Sequence, residues 1–563
     1  MQRFFLRMIV VIACAASLRC APGGSGGEDG GAPDAADADT DADTDTDTDS
    51  DTDTDSDTDS DTDAGPDTDT STGEDTWPDG GALGEIADQE AFLARYEPDG
   101  TFSWVAHTTS YGDNTEAMSI AALPGGRATV VGRFSVAIGI GEGDEKLMLY
   151  ADGERDMFLA AFTESGALEW ARRDGGGALA AWALAGTADE GLAVAGAYGE
   201  TAVFGDGDPG ETALALAGES DAFVARYDAA GALEWAYSAN GIGDEIFVAA
   251  AATPDGAVYA AGTADGEALV TGAGATSALV SPESAQAGLL CAWEDGGELS
   301  WCETTAGAGS AVFRDVSAAS GGGVIAAGRT LGAVVFGAGS AGETAIDTGE
   351  EVWIFVASYA ADGALAGLIT APSDVTDAYR LADEVNVAAA GDGFFLTGRL
   401  DGTQLFGAGQ EHETSLECDG SDEIWSGVRS DVFTALYGAD GTLAWAVRDG
   451  GTRYETSHCG AALGGGGIAI VGAFNGWSVF GEGPDEIALS TEGTDADVDI
   501  FVAAYGADGT LAWARQAGGF GAGERGTSAA ALPDDGVLAA GWFRYPAVFG
   551  EGDPTEVIVE KAP

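Results

Sequence analysis

Lysine is almost missing from this chain: Lys146 and Lys561 are the only two in 563 residues, and Lys and Arg together number 22 against 95 Asp and Glu. With a formal net charge of −73, the chain has no basic patch to set against phosphates, which argues against nucleic acid and anionic membrane as partners. Histidine is equally scarce, with His107, His412 and His458 the whole set, and neither a Gly-x-Ser-x-Gly elbow nor a His-Glu-x-x-His motif occurs. No Cys-x-x-Cys or His-x-x-x-His spacing offers a zinc site, and no cofactor is expected. Helical periodicity is also lacking beyond the N-terminus. The thin supply of His, Lys and nonrepeating Arg favours binding over catalysis.

What the chain has is repetition. Trp104, Trp170, Trp235, Trp301, Trp445 and Trp513 each close a phrase like Asp221-Ala-Phe-Val-Ala-Arg-Tyr-Asp-Ala-Ala-Gly-Ala-Leu-Glu-Trp235, and Gly367 stands in the one slot without a tryptophan. A second phrase ends in Gly132, Gly196, Gly262, Gly328, Gly398, Gly472 and Gly541. Each phrase reads as a hairpin, so a period holds four short strands, and four-stranded antiparallel units repeated radially are propeller blades. The chain enters on a tryptophan hairpin and leaves on a glycine hairpin, each half a blade. Paired in one sheet, they close the ring. The expectation is an all-β, seven-bladed β-propeller of four-stranded antiparallel blades, with the first and last segments sharing one blade and no capping repeats. These units resemble the bacterial beta-propeller repeat family, which reads roughly Asp-x-Phe-Val-x-Lys/Arg, Asp-Gly, Trp, then Asp-Gly-x-Val-Tyr-Val-x-Gly. The resemblance covers residues 88–563 and implies a propeller, with no particular reaction.

Residues 1–20 read as a secretion signal, with positive residues, a short apolar run and then small residues. Val11-Ile-Ala-Cys14 also looks like a lipobox, in which Cys14 is acylated; a plain cleaved signal is the other reading. Residues 21–87 form an acidic low-complexity tract, with Asp at every odd position from Asp37 to Asp63. Such a tract is expected to be a disordered, extended spacer with at most weak, diffuse divalent-cation binding, because the EF-hand glycine and glutamate are absent. It holds 22 carboxylates between Glu28 and Asp79; the other 73, against 19 Lys and Arg beyond the signal, leave the repeat region near −54.

Four cysteines follow the signal: Cys291, Cys302, Cys418 and Cys459. In an exported chain an even number suggests disulfides, with three possible connectivities. Cys291 and Cys302 flank one hairpin turn and are expected to pair across it, which leaves Cys418 with Cys459. Turns inside the hairpins are short and links between them long, so one face of the disc is expected to carry the long loops and the function. Gly205-Asp-Gly-Asp-Pro-Gly210 and Gly337-Ala-Gly-Ser-Ala-Gly342 match a dinucleotide fingerprint only on paper, since they recur with the blade as Phe-Gly-x-Gly and open no helix. Symmetry breaks between Gly398 and Phe433, where the link is longest, and His412, Trp425, His458 and Trp477 nearby are the candidate binding surface. The functional expectation is an exported, monomeric scaffold, either a cell-surface (outer-membrane) lipoprotein or extracellular, that binds a surface protein or polysaccharide without catalysis. Its membrane contact would be limited to a lipid anchor. The alternative is a polysaccharide lyase or hydrolase on the same fold.

Overall fold

The computed structural model describes residues 89–112, 115–141, 146–281, 284, 286–418, 429–451, 453–491, 497–519 and 523–561. Cys14, the signal, the 21–87 tract and Trp425 lie outside the described residues. Among those described, the regular structure is strands and short 3-10 turns, and no helix is long and apolar enough to cross a membrane.

Each period folds as a four-stranded antiparallel blade, and there are seven. In blade 1 the strands run, from the axis outward, Glu116–Leu123, Arg127–Phe134, Asp156–Phe162 and Leu168–Asp174. Both faces of a blade are covered by its neighbours, which explains the near-continuous apolar runs. In the third strand of blade 2, Asp221–Tyr227, Phe223, Ala225 and Tyr227 pack toward blade 1, while Ala222 and Val224 pack toward blade 3. Blade 7 is shared between the ends of the repeat region: Val537–Arg544 pairs with Gln89–Tyr96 in an unbroken register from Gln89↔Arg544 to Tyr96↔Val537.

The tryptophans join blades. Each indole lies over the turn glycine of the next blade's outer hairpin: Trp104 on Gly166, Trp170 on Gly231, Trp235 on Gly297, Trp301 on Gly363, Trp445 on Gly509 and Trp513 on Gly100. A methyl on any of these glycines would stand 2.6 to 3.1 Å from the ring, and their φ of +79° to +85° already favours glycine. Five of the indoles also donate Nε1–H to a carbonyl of that turn, as Trp513 does to Pro98 at 3.0 Å. In the slot of Gly367 the contact moves two residues along the same strand face, and Ile369 lies 2.9 Å from where a methyl on Gly441 would stand. The missing tryptophan is therefore a substituted staple, not a gap.

The strand glycines have a different reason. None needs a positive φ. A methyl on Gly132, Gly196, Gly262, Gly328, Gly398, Gly472 or Gly541 would strike the carbonyl of Glu116, Ala180, Ile246, Val312, Glu384, Thr456 or Arg525 on the inner strand. They are close-approach positions in mid-sheet rather than turn residues.

The long links also differ from the loops expected of them. Each folds as a further hairpin that runs down the perimeter against the outer edge of the preceding blade. Ala268–Thr271 pairs with the outer strand of blade 2, and Trp477–Phe480 with that of blade 5. Outer strands present a row of unpaired N–H and C=O groups, and the added hairpins cover its last residues, Ala239–Gly241 in blade 2 and Gly450–Gly451 in blade 5. The Phe-Gly-x-Gly segments are the tips of these hairpins; Asp208 Oδ2 there accepts the Leu233 amide at 3.1 Å.

Candidate functional site

The inner strands surround a central channel of about 1080 Å³. Opposite the strand glycine, six of them carry one residue too many, and the register skips Met118, Trp182, Val248, Arg314, His458 and Thr527. Such bulges re-aim side chains, and these six line the channel. Blade 5 lacks the skip, and Glu384, just before its inner strand Val385–Ala390, takes the seventh place. All seven residues stand fourteen positions before their strand glycine, as Met118 does before Gly132 and Glu384 before Gly398. The scaffold repeats and this ring does not.

The inner strands are edge strands and must satisfy their own amides. Ser119 Oγ accepts Leu184 N at 3.1 Å, Ser528 Oγ accepts Ile120 N at 3.2 Å, and Asp315 Oδ2 accepts Val387 N at 2.8 Å, each crossing to the next blade. Burial pushes the Asp315 carboxyl up to about 7. Toward the short-turn face the lining turns to alanine, at Ala122, Ala250, Ala389, Ala462 and Ala531. The polar chamber therefore lies in the half nearer the links.

One sector of this chamber combines opposite charges. His458 Nδ1 lies 3.3 Å from Glu384 Oε1, with the imidazole 6% and the carboxylate 26% exposed. Burial and the Arg525 charge hold His458 below the ordinary histidine range despite Glu384. At neutral pH the ring is thus uncharged and donates Nδ1–H to Glu384, leaving the buried, unpartnered Nε2 as an acceptor. Burial alone would raise the Glu384 carboxyl, but His458, Arg314 and Arg525 together hold it far below its usual value. Across the chamber the lining is acidic, with Asp244 and Asp265. Burial and Asp244 raise the Asp265 carboxyl.

Of the residues expected to form a binding surface, Trp425 lies outside the described residues, and the other three, His412, His458 and Trp477, do not come together. His458 lines the channel. His412 is exposed at the tip of the hairpin formed by Thr403–Phe406 and Thr414–Glu417. Trp477, 53% exposed, begins a perimeter strand outside blade 5. The Cys291–Cys302 bridge is formed, the two residues standing directly opposite in blade 3. The Cys418–Cys459 bridge is not: both are free thiols. Cys459 belongs to the innermost strand of blade 6, whereas Cys418 ends a perimeter hairpin between blades 4 and 5.

Burial, reinforced by the Asp431, Asp401 and Glu455 charges, pushes the Cys418 thiol up to about 12, and burial with Asp315 pushes Cys459 up to about 11. Both should therefore alkylate slowly in the native protein near neutral pH and fully once it is denatured without reductant. Peptide mapping should then find Cys418 and Cys459 alkylated and Cys291 still joined to Cys302; a mapped Cys418–Cys459 peptide would contradict this arrangement.

Arg314, Arg525, Glu384, Trp182 and Trp542 were not evident from motifs. Counting fourteen residues back from each strand glycine finds three of them, because that position alone changes in every repeat. Arg525 and Trp542 face each other across the first two strands of blade 7. No protein-family model matches this chain, and no curated protein matches it significantly in sequence.

Proposed function

We propose that this protein is an exported binding scaffold, a propeller of the bacterial repeat type whose central chamber receives the ligand and whose 21–87 segment serves as a spacer. One observation carries the reading: in a scaffold that repeats its core, staples and turns, the ring from Met118 to Thr527 places a different side chain in each blade. A structural position repeats, whereas a position that selects a ligand need not. The Cys291–Cys302 bridge supports an oxidising destination, in keeping with the signal-like N-terminus, and Cys14 is its proposed anchor. The partner is a surface polysaccharide or protein, and the chain acts as a monomer.

A second reading has one observation in its favour. The neutral His458 held by Glu384 beside two guanidinium groups is an arrangement that can remove a proton. Binding of purified surface polysaccharides and envelope proteins to the full mature chain tests both. Val248→Trp should fill the chamber and abolish binding, while His412→Ala and Trp477→Ala leave it intact. Binding that survives Val248→Trp would reject the chamber, and turnover lost in His458→Ala would favour the enzyme.

A further inference from the structure

In a chain so poor in cations, most of the described arginines have a partner. Arg95 meets Asp534 at 2.9 Å, Arg226 meets Asp189 at 2.8 Å and Arg448 meets Asp431 at 2.7 Å. Arg314 and Arg525 line the chamber instead, and among the described residues neither guanidinium has an ion pair or a hydrogen bond. Nε of Arg314 is buried with no partner at all. Both are close enough to Glu384 to act on its charge, so the two cations share one sector with a carboxylate that already has His458. A partly buried guanidinium left unpaired among 95 carboxylates is costly unless something anionic completes it.

The tryptophans divide the same way. The stapling indoles, Trp170 apart, donate their N–H groups to turn carbonyls. Trp182 and Trp542 line the chamber, half-buried, and their N–H groups meet no acceptor among the described residues. Trp542 stands directly opposite Arg525 in blade 7, and Trp182 is the bulge residue of blade 2, on the far side of blade 1. Half-exposed indole faces suit the C–H faces of sugar rings, and their N–H groups suit hydroxyls. The remaining polar lining also holds Arg133 and Arg155, but carboxylates outnumber them, with Asp244, Asp265 and Glu384 standing in the same chamber as the acceptor Nε2 of His458. An acceptor-rich wall calls for a ligand with many hydroxyl donors, and the two free guanidiniums call for a carboxylate on it.

From this juxtaposition we infer that the chamber binds the end of a uronate-containing oligosaccharide, with Arg314 and Arg525 taking sugar carboxylates and Trp182 and Trp542 stacking on the rings. The inference rests on the chamber being the ligand site, as proposed above. Only a chain end fits this chemistry, because the acidic exterior repels a polyanion laid across it. A carboxylate bridged by a guanidinium is also distinguishable from a neutral group of the same shape.

The test is isothermal titration of the full mature chain with trigalacturonate, its methyl ester and a triglutamate peptide. Trigalacturonate should bind, and esterification should weaken it about 10- to 100-fold through loss of the charged hydrogen bonds. Arg314→Ala and Arg525→Ala should each weaken the acid by a similar factor and leave the ester unchanged, whereas Trp182→Ala should weaken both. Arg314→Gln and Arg525→Gln, checked by circular dichroism, stand in if an alanine variant misfolds. Equal binding of acid and ester, equal binding of triglutamate, or silent arginine variants would overturn the inference. If trigalacturonate fails while another ligand binds in a manner sensitive to Val248→Trp, the uronate assignment falls and the chamber stands. If no binding responds to Val248→Trp, both fall.

Discussion

A Trp513→Ala variant is expected to lose about 3–5 kcal/mol of stability, the range for removing a large aromatic side chain from a packed site. Trp513 is 4% exposed, stacks on Tyr96 with ring centroids 6.2 Å apart, and donates to the Pro98 carbonyl. Its partners belong to the first hairpin of the repeat region, so this staple joins the last complete blade to the one built from both ends. Losing it weakens ring closure as well as one interface. Ile369→Ala, at the equivalent junction without a tryptophan, should cost about 2 kcal/mol, because a smaller, half-buried side chain is removed and no hydrogen bond goes with it. Trp513→Phe keeps the stack and gives up the hydrogen bond, for about 1 kcal/mol. Urea unfolding followed by far-ultraviolet circular dichroism measures all three. Equal losses at Trp513 and Ile369 would show that the tryptophans are not the principal staples.

The fold was legible because each element is written many times. Seven strand glycines and six tryptophans specify the ring, and the half-blades at its ends specify how it closes. Their physical reasons were less legible. Nothing in Gly132 or Gly541 announces that an inner-strand carbonyl bulges toward it, and nothing in Gly367 announces that Ile369 reaches the next blade instead. The perimeter hairpins were hidden for a related reason: segments such as Ala202–Phe204 and Thr212–Leu214 are too short to read as strands until the edge they cover is in place.

The candidate site was legible only in part. His458 stood out for its rarity, but rarity also singled out His412 and Trp477, which lie on the perimeter. Sequence proximity misleads in a propeller, because successive strands step radially outward. Residues 458 and 477 are nineteen positions apart and occupy opposite edges of the sheets, while Arg314, Glu384, His458 and Arg525, spread over four blades, share one chamber. Residues at one radius and one height meet; neighbours along the chain do not. The fixed offset from the strand glycine encodes radius and height together, which is why it recovers the ring.

The propeller should lose stability as pH rises from about 5 to 9, an opposite trend to that of proteins whose carboxylates are held ionised by ion pairs. At three blade junctions an aspartate in the first two residues of a third strand meets a glutamate that opens, or just precedes, the next inner strand: Asp221 with Glu245, Asp431 with Glu455 and Asp499 with Glu524. All six are buried. Burial, with Asp221, Asp244 and Asp265 adding to it, raises Glu245 to about 8; burial and Asp431 raise Glu455 to about 8; burial and Asp499 raise Glu524 to about 9. Arg448 and Gln516 are bound to the aspartate of the second and third pairs, so the proton stays on the glutamate. Because each folded value lies above the ordinary 4.5, the native state keeps protons that the unfolded chain releases, and that contribution fades as pH rises through 8 to 9. Glu90, raised to about 7 by burial, acts in the same direction, and among the described residues His458, held low, opposes it within this window. Several kcal/mol over a domain of this size should lower Tm by at least about 5 °C between pH 5.5 and 9. Glu245→Gln and Glu524→Gln keep the neutral shape at every pH, so each should flatten the curve and raise Tm at pH 9 relative to the parent. A Tm that holds level or climbs toward pH 9, in calorimetry at fixed ionic strength, would mean that these pairs are not sharing protons.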